Sequence, residues 1–367
     1  MTLRTLRLAL AAALAGTLLS LGVVAALQGP DAIEPAARAF VESVVGSELA
    51  LGATLAHATP ILLIGLGATL AFRAGQFDIG QPGQFVLGGL AAGAVAPAVP
   101  GPGWLAVVVG LAAGMLASGL WAQAIAHFVA ATGVELVIAS LVANYLAEGL
   151  ARLLVRTVLR DEHESGFVAT PPLGSAERLP ELLPGTGLQL GAPLALALFA
   201  IAAWTVARTA AGHRLRLFGR APSFATLAGT RPQRYRRRVL TLGGALCGLA
   251  GAIAVLGDLG RYLDGSLGGA SSVAWTGLTL AILVPSGIVA LLPGALLLAA
   301  IDTGIAGVQR DVGVGVGLAM VIQATILLAV ALSGRTVVAG ARRRRRARDG
   351  GRALGVRSAV VSGQVGR

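Results

Sequence analysis

Apolar residues in this chain come in long unbroken runs, not in the short alternating or three-to-four spaced patterns of a water-soluble fold. From Leu49 to Phe72 there are 24 residues without one formal charge. At about 1.5 Å of rise per residue that is about 36 Å of helix, enough to cross a hydrocarbon core of about 30 Å. Runs of the same kind recur, and together they predict an all-α, polytopic membrane helix bundle of about ten transmembrane helices. The predicted spans are Leu8–Leu27, Leu49–Phe72, Phe85–Val99, Trp104–Ala126, Gly133–Val155, Leu190–Ala207 and Val239–Gly257. Ala270–Ile301 is too long for one crossing and carries Pro285, Gly287, Pro293 and Gly294, so it is split into two helices with a turn near Ser286. Val312–Ser333 completes the set.

The polar connectors orient these spans. Arg4 and Arg7 precede the first run, which is long for the apolar part of a cleaved signal peptide (about 7–15 residues) and is read as a retained span. Gln28–Glu48 carries four acids against Arg38 and reads as an amphipathic outside piece; Arg156–Gln189 is the longest outside loop, with acids outnumbering Arg. Arg208 to Arg238 holds nine Arg and no acid, and Arg335 to Arg367 holds ten Arg and only Asp349. Those two segments more than account for the formal charge of +12, so the rest of the chain is net acidic. By the bias of cationic loops toward the cytoplasm, both segments and both termini are expected inside. Residues 1–334 are thus expected to form a transmembrane domain with a cytoplasmic segment at 208–238. Residues 335–367 are expected to be a disordered basic tail suited to anionic headgroups.

Two stretches fit poorly as simple turns. Arg73–Gln84 and Asp302–Asp311 set polar residues among glycines at or near membrane depth. Irregular backbone is tolerated there only inside protein or beside a watery cavity, so both are candidates for a transport path.

Composition narrows the chemistry. Only 13% of residues are charged and 52 are Gly, which favours closely approaching membrane helices. A single Cys and four scattered His residues offer neither a disulfide framework nor metal-ligand spacing, so no metal site is expected. Every basic residue is Arg, so a phosphate-binding GxxxxGK[ST] loop is impossible. No clustered acid–base or nucleophile set marks an enzyme, and no catalytic residue is assigned. The Arg342–Arg346 run is read as a membrane-proximal cationic patch, not a nucleic-acid site.

GLGATLAFRAGQFDIGQPGQFVLGGLAAG (Gly65–Gly93) resembles the permease subunits of bacterial ATP-binding cassette (ABC) importers for nucleosides and simple sugars, relatives of the branched-chain amino acid permeases. Those typically read FRAGLFNIGAEGQ; here Asp78 replaces the usual Asn, and Gln81-Pro82 replaces Ala-Glu. Gly212–Gly257, with Ala228-Gly229 and Gly248-Leu249-Ala250-Gly251-Ala252 in register, is similar to that family's cytoplasmic coupling segment and the helix after it. GRYLDG (Gly260–Gly265) and IQATILLAVAL (Ile322–Leu332) extend the likeness. After Gly265 the pattern is looser, with Ala274–Leu280 where the family carries a FxGIAVALLG-like helix.

The resemblance implies a permease subunit of the bacterial cytoplasmic membrane. Its expected partners are an ABC ATPase, a second permease copy or relative, an extracytoplasmic binding lipoprotein and membrane lipid. It would bind no cofactor itself, ATP being consumed by the partner. The family supplies the coupling role of Gly219, Arg220, Phe224, Leu227, Ala228 and Gly229; Pro222 and Gly229 independently read as helix punctuation. The substrate-path candidates are Gln76, Asp78, Gln81, Gln84, Asn144, Trp275, Thr276, Thr279 and Gln323. A bland alternative for Asp78 is an Arg73–Asp78 pair at the cytoplasmic boundary. Glu135 and Glu148 are read as interfacial ends of their span, and His57 and His127 as packed or interfacial. The cargo is expected to be a nucleoside or simple sugar. The alternatives are branched-chain amino acids on the same machinery, or a self-contained secondary transporter, against which no internal repeat is visible.

Overall fold

The computed structural model describes residues 29–162, 166–221, 223, 231–269, 272–284, 287–313, 315, 321 and 324. The chain divides into two compact units, Met1–Ala37 with Val312–Arg367, and Arg38–Asp311. Ten α-helices run through the described residues: α1 (Ile33–Val45), α2 (Glu48–Arg73), α3 (Gln81–Val95), α4 (Gly103–Thr132), α5 (Leu136–Thr157), α6 (Gly191–Arg208), α7 (Ala210–Arg220), α8 (Pro232–Ala254), α9 (Val273–Leu283) and α10 (Leu291–Val312). Among the described residues six segments are long and apolar enough to cross a membrane: α2, α4, α5, α6, α8 with its π-turn to Leu259, and Ile288–Val312.

Local chemistry sets the helix ends. Ser47 caps α2 by accepting from the Ala50 N–H at 3.1 Å. At its other end Gly75 adopts φ 71°, and Gln76 N–H donates to Ala71 C=O while Gly75 N–H donates to Phe72 C=O. That pair of bonds around a left-handed residue is a Schellman closure, so the FRAG sequence ends a helix sharply. Pro60 lies inside α2 without breaking it. Such a residue is tolerated in a membrane helix when neighbours satisfy the freed backbone.

The centre of the bundle is α8, 72% of whose most apolar window is buried, against 22% for the peripheral α6. Glycines bring its neighbours into backbone contact. A Cβ on Gly88 of α3 would collide with the Gly248 backbone, one on Gly248 with the Gly114 carbonyl and Ser118, and one on Gly67 with the Gly243 carbonyl. Ser118 Oγ donates to the Gln84 carbonyl at 2.6 Å across the same contact. Without a hydrophobic drive between helices in lipid, close packing and such bonds hold the bundle together.

The predicted span at Phe85–Val99 begins earlier: Gln81–Gln84 form the first turn of α3, started by Pro82, so only residues 74–80 are irregular. The split of Ala270–Ile301 is present, with α9 ending at Leu283 and the next helical turn starting at Ile288. Asp302–Asp311, expected to be irregular, is continuous helix within α10. Its glycines serve close approach: Phe40 packs onto Gly304 and Ser43 onto Gly307. The long connector between α5 and α6 adds one non-helical element, an antiparallel hairpin pairing β1 (Glu181–Leu183) with β2 (Leu188–Gln189). Leu8–Leu27 and nearly all of Val312–Ser333 lie outside the described residues.

Candidate functional site

Residues 74–80 interrupt the path from α2 to α3, and their backbone groups need partners that no helix supplies. Asp78 provides some of them. Its Oδ1 accepts from Gly80 N–H at 2.9 Å, and its Oδ2 accepts from Gln84 Nε2 at 3.2 Å, with Gln81 Nε2 at 3.5 Å. Two residues of α5 clamp the same break. Ser140 Oγ accepts from Ile79 N–H at 3.2 Å. Asn144 donates through Nδ2 to Ile79 C=O at 2.8 Å and accepts at Oδ1 from Gly83 N–H at 3.0 Å.

Gln76, Asp78, Gln81, Gln84 and Asn144 are thus gathered into one buried polar knot between α2, α3 and α5. Among the described residues no ion pair joins Arg73 to Asp78; amides and backbone N–H groups surround the carboxylate instead. The knot is incompletely satisfied. Gln76 Nε2, Gln81 Oε1 and Gln84 Oε1 are buried without a hydrogen-bond partner, as are Thr69 Oγ1 and Arg73 Nε nearby. An unsatisfied buried polar group costs about 1–3 kcal/mol, so these atoms are the ones in the knot with bonding capacity left over.

The Arg-rich 208–238 segment touches this break directly. Gly219, near the end of α7, sits so close to the Arg73 carbonyl that a Cβ would overlap it, and Gly75 lies against the Gly219 backbone. Arg220 is the last residue of α7. Phe224, Leu227, Ala228 and Gly229 lie outside the described residues, as does Gln323.

Trp275, Thr276 and Thr279 stand on α9, alongside α2. Trp275 packs with Phe72 and Ile79 over Ala68, Leu278 and Ala281, so it flanks the break. Thr279 Oγ1 donates to the Trp275 carbonyl of its own helix at 2.8 Å. Thr276 Oγ1 donates to Asp302 Oδ2 at 3.2 Å, and His57 Nε2 lies 3.4 Å from the same oxygen. Thr54 and Thr303 share a hydroxyl bond of 3.2 Å beside them. This second polar cluster, joining α2, α9 and α10, is absent from the sequence reading of His57. The pairing spans 245 residues, and no local spacing announces it. Glu135 stands at the start of α5 and His127 is exposed on α4.

The family of the permease component of the branched-chain amino acid transport system matches residues 50–331. This chain belongs to that family. It is the membrane-embedded permease component of a transport system, a multi-pass protein of the cell membrane. The guanosine ABC transporter permease protein NupP of Bacillus subtilis is 27% identical over 303 residues, 80% of this chain and 84% of that one. The glucose ABC transporter permease protein TsgB13 of Haloferax volcanii is 27% identical over 320 residues, covering 84% and 82%. The nucleoside ABC transporter permease protein NupB of Lactococcus lactis is 23% identical over 298 residues, covering 79% and 81%. The permease match spans both the break and the Arg-rich 208–238 segment.

Proposed function

We propose that this permease moves a nucleoside or simple sugar inward by alternating access, driven by ATP hydrolysis in a separate ATPase chain. The observation that carries the cargo is the shared chemistry of its relatives: each pairs along most of this chain and is named for guanosine, nucleosides or glucose, all neutral hydroxyl-bearing ring solutes. The buried, unpartnered amide atoms of Gln76, Gln81 and Gln84 suit such a solute, because a neutral amide both donates and accepts without demanding a charge.

In this reading the permease works as a pair, with itself or a related chain, and receives cargo from an extracytoplasmic binding lipoprotein. Ten crossings place Arg4, Arg7, the 208–238 segment and the Arg-rich tail in the cytoplasm. The ATPase grips the coupling residues Gly219, Arg220, Phe224, Leu227, Ala228 and Gly229. Movement there reaches the break through the Gly219–Arg73 backbone contact. Asp78, Asn144, Trp275, Thr276, Thr279 and Gln323 complete the candidate path. Such a ligand shifts the equilibrium only through different affinities for the two states.

Uptake of labelled guanosine, uridine, glucose and leucine by cells with and without the chain tests this directly. Guanosine, uridine or glucose uptake should require the chain and cease when the partner ATPase is inactivated. Leucine-only uptake would replace the cargo assignment, and uptake that survives ATPase inactivation would overturn the importer reading.

A further inference from the structure

The loop from α8 to α9 carries non-helical backbone into the bundle. Leu267 packs against Gly89, in the middle of α3, and Ser272 Oγ donates to Leu267 C=O at 2.7 Å before capping α9. On the way the loop passes Glu148 of α5. Gly269 N–H donates to Glu148 Oε1 at 3.2 Å. Glu148 is 12 residues after Leu136 and 9 before Thr157. It therefore lies about 18 and 14 Å from the two ends of a helix long enough to cross the membrane.

That position is well inside α5, not at either of its ends. Asp264 lies one to two turns further along α5, held by Arg156 Nη2 at 2.8 Å and Arg152 Nε at 3.6 Å. Val86, Glu148, Arg152, Tyr262, Asp264 and the glycines at 265, 268 and 269 line an open cavity of about 140 Å³. One water needs only about 10–15 Å³ by a comparable measure, so the space is ample for a small solute.

Three features point the same way. The backbone beside the cavity is irregular, which at membrane depth is tolerated only within protein or next to water. Ionised side chains within spans face a bundle interior or a watery space, yet the Arg152 and Arg156 side chains are each 58% exposed on this chain. Glu148, Asp264 and Arg152 line the cavity and Arg156 pairs with Asp264 beside it, so the site offers strong acceptors and donors together.

We propose that the cavity between Glu148, Arg152 and Asp264 is a binding subsite on the translocation path for a neutral, hydroxyl-bearing solute. It rests on the permease reading above and adds a position that the sequence assigned to the membrane boundary. Glu148 and Asp264 accept hydroxyl protons, Arg152 donates, and the side-chain-free glycines let a ring approach the backbone.

The sole native cysteine, Cys247, is fully buried, which makes single-cysteine labelling clean. In the assembled transporter, Glu148→Cys should react with a membrane-impermeant methanethiosulfonate, and guanosine or glucose should slow that reaction. Failure to label, or labelling that guanosine, uridine and glucose all leave unchanged, would overturn the subsite. Should Glu148→Cys fail to assemble, Glu148→Gln in the full complex should raise the KM for guanosine or glucose uptake about tenfold, the scale of losing one charge-assisted bond. An unchanged KM overturns the proposal. Uptake without protection rejects the subsite and leaves the importer standing; protection without uptake does the reverse.

Discussion

Asp78 shows how one substitution rewires a local network. Both its oxygens accept bonds, from Gly80 N–H and from the Gln84 amide, while Gln84 Oε1 faces no partner. Asp78→Asn would keep the Gly80 bond through its oxygen. Its new N–H would pair with Gln84 Oε1 after that amide turns over. It also removes a carboxylate from a fully buried position. The expected result is a permease whose thermal midpoint in detergent equals or exceeds that of the parent. Asp78→Ala should instead lower it, because the donors left unpaired cost about 1–3 kcal/mol of stability. A lowered midpoint for Asp78→Asn would show that the carboxylate has a cationic or protonated partner in the assembled state. The motif around Asp78 was legible in the sequence because FRAG and FDIG lie within a few positions. The clamp from Ser140 and Asn144 was not, since 61 or more residues separate the partners.

Between elements, glycine contacts are the main determinant. Gly88, Gly114 and Gly248 bring α3, α4 and α8 together with no room for a side chain. Gly248→Val should destabilise the bundle by about 1–3 kcal/mol or more, read as loss of folded protein recovered from membranes. Gly219→Val acts on a different contact, where α7 meets the end of α2 at the Arg73 carbonyl. This variant should still reach the membrane but import less cargo per ATP hydrolysed. Uptake and ATPase rate, measured together on the purified complex, separate that loss of coupling from simple misfolding. An unchanged ratio would mean that movement of the cytoplasmic segment reaches the path by another contact. Hydropathy placed the ends of α3, α4 and α8 only to within seven residues, and it misjudged Asp302–Asp311, where the glycines accommodate Phe40 and Ser43 without breaking the helix.

For the whole molecule, charge placement predicts topology. With a buried native cysteine as a silent background, cysteines placed at Arg214 and Arg234 should be labelled by impermeant reagents only from the cytoplasmic side. One placed at Arg178 should be labelled only from outside. Labelling of Arg214→Cys in intact cells would invert the orientation and separate the Arg-rich segment from any cytosolic ATPase. Nine Arg between Arg208 and Arg238 make that outcome unfavourable, because cationic loops are retained on the cytoplasmic side.

The sequence by itself determined the solvent, the helical class, the orientation signals and the family. Each is written in consecutive residues: uncharged runs long enough for a bilayer, Arg-rich loops, and two motifs of fixed spacing. The tertiary structure decided which polar groups share a space. Ile79 and Gly83 meet Asn144, His57 meets Asp302, and Glu148 meets the Gly268–Gly269 loop only because helices distant in sequence pack side by side. Hydropathy is a sum along the chain and carries no term for such encounters. Glu148 at the end of an apolar run and Glu148 beside a cavity in mid-helix read alike until the neighbouring helices are in place.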